Sequence, residues 1–341
     1  MKRVLVTGGA GFIGSNFIHW ALEHWPDVHL VNLDALTYAG NPANLADIAN
    51  QPRHTFVHGD ITDPALLDRL MADGFDAVVN LAAESHVDRS LMSSEPFVRT
   101  NVLGTQQLLD AARRHGVGRF LQVSTDEVYG SLGPEGRFTE ETPLQPNSPY
   151  SASKAAADLL CRAYFHSFGF PVMVSRCSNN YGPYQFPEKV IPLFVTNLFE
   201  GKKVPLYGDG LNVRDWIYVE DHCAAIGAIV ERGRPGEVYN VGADCELTNL
   251  ELTRRILRAC GRDEGFIEYV TDRPGHDRRY AIDSTKIRAE LGWTPRHGFD
   301  EALKRTIDWY RRNTTWWRSI KSGEYRRYYQ QQYGNRAPCN R

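Results

Sequence analysis

The sequence lacks the features that mark membrane, secreted or nucleic-acid-binding chains. No apolar run approaches the roughly 18 residues a spanning helix needs, and the mean hydropathy is −0.42. Lys2-Arg3 leads into only a short apolar run before Thr7-Gly8-Gly9, so a signal peptide is not expected. Positive charge is not in excess: 39 Lys+Arg stand against 41 Asp+Glu, a net charge of −2. A nucleic-acid partner held by bulk charge is therefore not expected. The six cysteines (161, 177, 223, 245, 260, 339) form no CxxC pair. That excludes a cysteine zinc knuckle and fits a reduced, cytoplasmic setting. Internal repeats, low-complexity tracts and long charge runs are also missing.

What is present is 341 residues with a 42% hydrophobic share, room for about two domains with ordinary cores. The first half alternates β-branched runs with amphipathic stretches. Strands are expected at Val4–Thr7, Val28–Leu33, Thr55–His58, Ala77–Ala82, Arg119–Ser124 and Pro171–Ser175. Helices are expected at Ile13–Glu23, Pro64–Met71, Phe97–His115 and Ser151–Phe168. Such alternation predicts an α/β fold with a doubly wound parallel sheet of Rossmann type. From about Asn179, Pro and Gly cluster and the strand candidates shorten. This predicts a smaller α/β C-terminal domain that serves the substrate. Helix Val219–Arg232, strand Val238–Val241 and segment Ser284–Leu291 read as returns to the first domain. The expected division is 1–177 with returns at about 215–246 and 284–303, against about 178–214, 247–283 and 304–341.

Strand Val4–Thr7 runs into Gly8-Gly9-Ala10-Gly11-Phe12-Ile13-Gly14 and then a helix. Gly9, Gly11 and Gly14 fit G-x-G-x-x-G, with Gly8 as a further glycine in front. Such a turn brings bare backbone and a helix N-terminus to a pyrophosphate. Asp34 ends the second strand, 20 residues after Gly14. A carboxylate there accepts from ribose hydroxyls and repels a 2′-phosphate, so NAD is expected rather than NADP. Asp60-Ile61 follows the third strand and is placed to meet the adenine; Asp60 could equally be the N-cap of the helix at Pro64.

Tyr150 and Lys154 form Y-x-x-x-K at a helix start, one turn apart on one face. The expected chemistry is proton exchange between the phenol and a substrate hydroxyl, with the ammonium lowering the tyrosine pKa. Ser124-Thr125-Asp126-Glu127-Val128-Tyr129-Gly130 lies where a strand ends at the ligand-binding edge of such sheets. Alcohol oxidation needs only the Tyr and Lys. Two extra carboxyls point to a second proton transfer such as loss of water, with one acid protonated and the other ionised.

Taken together, Gly8–Gly14, Leu33–Asn41, Leu81–Ser90, Ser124–Gly130, Tyr150–Lys154, Ser178–Pro183, Pro187–Lys189, Arg214–Trp216 and Asp272–Asp277 resemble the extended short-chain dehydrogenase/reductase superfamily. Within it the chain closely resembles the dTDP-glucose 4,6-dehydratases, over almost its whole length. Neighbouring families differ at the acid pair: UDP-galactose 4-epimerases lack it, and GDP-mannose dehydratases have Thr-Ser-Glu. The resemblance implies that Tyr150 takes the C4 hydroxyl proton as hydride passes to NAD, and that Thr125 hydrogen-bonds the C4 oxygen. Glu127 then removes the C5 proton, Asp126 protonates the leaving C6 hydroxyl, hydride returns to C6 and a proton returns to C5. It further implies an NAD site of Gly8, Gly11, Phe12, Ile13, Gly14, Asp34, Leu36, Thr37, Asp60, Ile61, Leu81, Ala82, Ala83, Thr100, Tyr150, Lys154 and Asn180. Around the nucleotide sugar it implies Ser85, His86, Thr125, Asn179, Lys189, Val190, Pro205, Tyr207, Arg214, Asn249, Arg273 and His276.

Arg214 is the expected anion binder, the alternative being a surface arginine paired with Asp215. His86 and His276 lack metal-ligand spacing, so packing or hydrogen bonding is expected of them and no metal. The aromatic cluster at 316–333 is expected to be buried against the second domain. Relatives pair the helices at Phe97–His115 and Ser151–Phe168 across a two-fold axis. This implies a homodimer through a four-helix bundle, with Val98, Val102, Leu108, Leu109, Ala155, Leu159, Leu160 and Tyr164 as the apolar positions. The competing readings are a related dehydratase acting on UDP-glucose and a catalytically silent NAD-binding regulator.

Overall fold

The computed structural model describes residues 1–322 and Arg327. The first six strands are β1 (Arg3–Thr7), β2 (His29–Asp34), β3 (His54–His58), β4 (Ala77–Asn80), β5 (Arg119–Thr125) and β6 (Val172–Cys177). Then come β7 (Asn179–Tyr181), β8 (Val204–Tyr207), β9 (Val213–Tyr218), β10 (Val238–Val241), β11 (Glu246–Thr248) and β12 (Ile267–Val270). Seven of these make one parallel sheet in the order β10-β6-β5-β4-β1-β2-β3. Strand order reverses between β1 and β4, the switch point where open α/β sheets form a crevice at their carboxyl ends.

Alternation along each strand feeds two faces. Val4 and Val6 pack with Phe17, Ile18 and Ile226, under helices Phe12–His24 and Val219–Arg232. Leu5 and Val31 pack with Leu67, Leu108 and Cys161, under helices Pro64–Met71, Thr105–Arg114 and Pro149–Phe168. The sheet is therefore wound on both sides, as its near-continuous apolar strands require. A further core lies around the small sheets β11-β9-β7 and β12-β8. Phe194, Trp216, Leu252, Tyr310 and Trp317 fill it. Trp317 is fully buried there, while the Trp316 indole N–H reaches Asn44 Oδ1 at 2.9 Å. The tyrosines of the 316–333 cluster, and Cys339, fall outside the described residues. Among the described residues no helix is long and apolar enough to cross a membrane.

One expected helix is not regular. Between Glu95–Phe97 and Thr105–Arg114 the backbone takes a π-helical course over Val98–Gly104. This widened stretch carries Asn101, whose side chain clamps Glu84: Oδ1 accepts from the Glu84 N–H at 2.9 Å and Nδ2 donates to its carbonyl at 3.0 Å. Periodicity cannot reveal this, because the apolar face continues across the stretch.

Candidate functional site

A cavity of about 280 Å³ opens along the carboxyl edge of the large sheet, from Gly8 to Asn180. Its floor is the turn after β1. Gly8 has φ +71°, and a Cβ there would stand 2.6 Å from the Ala82 nitrogen. A Cβ on Gly14 would stand 2.1 Å from the Gly8 carbonyl oxygen, so the helix can seat on the turn only as glycine. Gly9 fits the G-x-G-x-x-G spacing, but the NAD site implied by the resemblance names Gly8, Gly11 and Gly14. In the structure Gly9 is pressed against the Asn32 side chain, and Gly8, Gly11 and Gly14 line the cavity. No side chain caps the helix Phe12–His24, and no acid sits in its first turn. Its positive end is thus left for an anion.

Asp34 lines the cavity beside this turn. Its Oδ2 accepts from the Ala10 N–H and its Oδ1 from the Leu36 N–H, both at 2.8 Å. Burial raises its pKa against the pull of those bonds. Phe12, Ile13, Thr37, Asp60, Ile61, Leu81, Ala82, Ala83, Thr100 and Asn180 share the wall. Leu36 does not; it sits at φ +50° with its N–H spent on Asp34. Asp60 is not the N-cap of helix Pro64–Met71, because Asp63 accepts from Ala65 and Leu66. A glycine cradle, an uncapped helix end and a ribose-level carboxylate suit a dinucleotide such as NAD.

The reacting groups come from two elements. Helix Pro149–Phe168 starts at a capping box between Ser148 and Ser151, which places Tyr150 in its first turn and Lys154 one turn on. Both are buried, and Tyr150 meets Phe97 edge-on at 6.3 Å. Lys154 Nζ donates to the Val123 carbonyl at 2.7 Å. The expected lowering of the Tyr150 pKa is not found. Burial first, then the neighbouring Glu127, Cys177 and Asp126, hold the phenol well above its usual value, and a Thr125 hydrogen bond opposes them. Burial lowers Lys154, which is drawn back up mainly by Asp158.

The second element is the tight turn after β5. Thr125 Oγ1 accepts from the Glu127 N–H and donates to Asp126 Oδ1, each at 3.3 Å. Asp126 is buried and its Oδ2 has no protein partner. Burial, reinforced by Glu127 and Asp215, pushes its pKa well up. Glu127 is also raised by burial, but Arg273, Lys189 and Arg214 pull it back. The two adjacent acids therefore stand in different fields, the Asp favoured as neutral and the Glu facing cations. Thr125, Glu127, Tyr150 and Lys154 line the cavity, and Asp126 lies outside its wall.

Of the expected sugar-nucleotide residues, Ser85, Thr125, Asn179 and Lys189 line this cavity, with Lys189 Nζ donating to the Ser85 carbonyl at 2.8 Å. His86, Val190, Pro205, Tyr207, Arg214, Asn249, Arg273 and His276 lie outside its wall. Tyr207 OH and Arg273 Nη1 both donate to Asp88 at 3.1 Å. His276 pairs with Asp272 at 2.6 Å, and burial, with Arg273 and Arg214, takes its pKa down to about 4. His86 is taken down to about 4 by burial. Val190 and Asn249 each open a helix, and Pro205 lies in β8. Arg214 is neither on the surface nor bonded to Asp215. It stacks on Tyr280 at 4.1 Å and donates to the carbonyls of Val213 and Asp277.

The chain matches the family described as GDP-mannose 4,6 dehydratase over residues 5–306. It is 58% identical over 320 residues to a dTDP-glucose 4,6-dehydratase of Streptomyces griseus, covering 93% of this chain and 97% of that protein. It is 54% identical over 324 residues to the dTDP-glucose 4,6-dehydratase of Streptomyces niveus, covering 94% and 96%. The crystal structure of DesIV, a dTDP-glucose 4,6-dehydratase from Streptomyces venezuelae with NAD and dTDP bound, superposes with a TM-score of 0.92. That alignment is 54% identical and covers 94% of this chain and 100% of DesIV. The chain belongs to the dTDP-glucose 4,6-dehydratase family.

Some wall residues of this dehydratase fold escape sequence reasoning. Glu84, Cys177, Ser178, Gln185 and Phe186 all line the cavity. Gln185 and Phe186 sit between the Gly182-Pro183 and Pro187-Glu188-Lys189 stretches, and that interruption was the available signal. Phe186 meets Tyr38 edge-on at 5.6 Å, joining two loops beside the cavity.

Proposed function

We propose that this chain catalyses the NAD-dependent dehydration of dTDP-glucose to dTDP-4-keto-6-deoxyglucose. The observation that carries this reading is the pair Asp126-Glu127, adjacent but held in different charge environments beside Tyr150. NAD, when bound, takes the C4 hydrogen and gives it back at C6. Tyr150 exchanges the C4 hydroxyl proton, with Lys154 as the neighbouring cation and Thr125 a hydrogen-bond partner for the C4 oxygen. The C4 ketone acidifies the C5 proton, which Glu127 removes. Asp126, whose neutral form burial favours, gives its proton to the departing C6 hydroxyl, one water leaves, and C5 takes a proton back as hydride returns to C6. The remaining cofactor and sugar-nucleotide assignments made from the sequence are part of this proposal.

The test uses dTDP-glucose deuterated at C4. A 4-keto-6-deoxy product with the label at C6, and no net consumption of NAD, is expected. Absence of a ketone refutes the reading, and epimerisation at C4 would point to a different enzyme.

We also infer a homodimer through a four-helix bundle. Val98 is 55% exposed and Leu159 56% exposed. Val98, Val102, Leu103 and Leu160 line an open groove. Leu108, Leu109, Ala155 and Tyr164 are buried within the chain, so those four positions leave the proposed contact. A cytoplasmic location is supported by the five free cysteines among the described residues. The division into a nucleotide domain, residues 1–177 with two returns, and a substrate domain is supported by the separate core around the small sheets.

A further inference from the structure

We propose that Arg176 is a positioning residue for this reaction: it holds the turn bearing Asp126 and Glu127 in register with the helix bearing Tyr150 and Lys154. The proposal rests on the reading of the site given above. Arg176 lies on β6, buried, and its guanidinium reaches both elements. Nε donates to Asp158 Oδ2 at 2.9 Å. Asp158 is also buried and stands one helical turn beyond Lys154. Nη1 donates to the Tyr129 hydroxyl at 3.0 Å, and the guanidinium carbon lies 4.8 Å from the Tyr129 ring centroid. Tyr129 closes the turn that begins with Asp126.

The network is anchored on its far side as well. The Tyr129 hydroxyl donates to Asn240 Oδ1 on β10 at 2.7 Å. Asn240 Nδ2 donates to the Phe138 carbonyl at 3.1 Å, and Tyr129 stacks on Phe138 at 4.9 Å. Arg176, Asp158 and Tyr129 are not part of the cavity wall. Their proposed effect runs through the residues they carry.

Two physical points favour positioning over simple stabilisation. A buried ion pair is a poor source of net stability, because desolvation offsets the attraction. What it supplies is geometry: a guanidinium is a planar fork that bonds two partners at fixed angles, which an ammonium cannot reproduce. The acid–base pair and the tyrosine must meet one sugar ring together, so their relative placement governs the second half of the reaction.

The deciding variant is Tyr129→Phe, which keeps the ring and removes the hydroxyl that links Arg176 to the turn. Arg176→Lys, which keeps the charge and removes the fork, is the second. Each is compared with the wild-type protein, using dTDP-glucose deuterated at C4. Oxidation at C4 should stay within about twofold while elimination slows about tenfold, as a small misplacement of reacting groups does. Reduced nicotinamide should then accumulate in the steady state, seen by its near-ultraviolet absorbance, and KM should hardly move. If oxidation and elimination fall by the same factor, or neither changes, the positioning role is overturned. Should Arg176→Lys not fold, Tyr129→Phe decides alone. A wild-type protein that forms no 4-keto-6-deoxy product would refute the parent reading instead, so the two failures are distinct.

Discussion

Replacing Asp126 with Asn should raise the stability of the fold at neutral pH while slowing water elimination. The carboxyl is held well above its usual pKa by burial first, then by Glu127 and Asp215. In the unfolded chain it returns to about 3.9. As pH rises past that unfolded value, folding therefore takes up a proton at this position. The associated stability is complete below the unfolded pKa and is lost as pH rises toward the folded one. One such proton corresponds to about 1.4 kcal/mol per pH unit, so up to about 3 kcal/mol between about pH 5 and about pH 7. Asn has no proton to bind and escapes that slope. Other buried acids raised by their surroundings, such as Asp34, Glu84 and Asp158, slope both proteins alike and largely cancel in the difference. Urea unfolding of both proteins at the two pH values measures that difference. Parallel stability in the two proteins would show that Asp126 is ionised in the fold and could not serve as the acid.

Tyr150→Phe should suppress the first oxidation by about 10²- to 10⁴-fold, leaving the C4 deuterium in place; substantial ketone formation would remove the tyrosine from its role. Gly14→Ala would put a Cβ 2.1 Å from the Gly8 carbonyl, forcing helix and turn apart, so NAD affinity by calorimetry should fall at least tenfold, about 1.4 kcal/mol; unchanged affinity would detach the turn from the cofactor. Leu159→Glu, at an exposed helical position, should shift sedimentation from dimer to monomer; a variant still dimeric would move the contact elsewhere.

Much of the first half is legible because parallel strands buried on both faces read as near-continuous apolar runs. Apart from the helix at Phe97–His115, the expected elements there end within two residues of those observed. The π-helical course at Val98–Gly104 is invisible, since it changes hydrogen bonding and not the apolar pattern. Gly8 and Gly9 are alike by spacing alone; the resemblance names Gly8, and φ +71° with the close approach to Ala82 gives the physical reason. The acid pair and its need for one protonated and one ionised member were legible as chemistry, but the groups that set the two apart were not. Beyond burial, which raises both, that asymmetry comes from Asp215 beside the aspartate and from Arg273 and Lys189 beside the glutamate, which reach the pair from distant parts of the chain. Lys154 shows the opposite limit. Spacing put it one turn from Tyr150, yet its ammonium is bonded to the Val123 carbonyl on the neighbouring strand.

The strand order has a consequence for how the molecule is made. Thr7 lies in register with Asn80, and Val174 with Val238. Such pairings are long-range, and long-range parallel pairings form slowly. During vectorial synthesis the glycine turn emerges well before its opposite wall at Asn180 and the last sheet strand. A nascent chain therefore carries the glycines of its cofactor cradle before it possesses a pocket, and catalytic competence waits on the later strands.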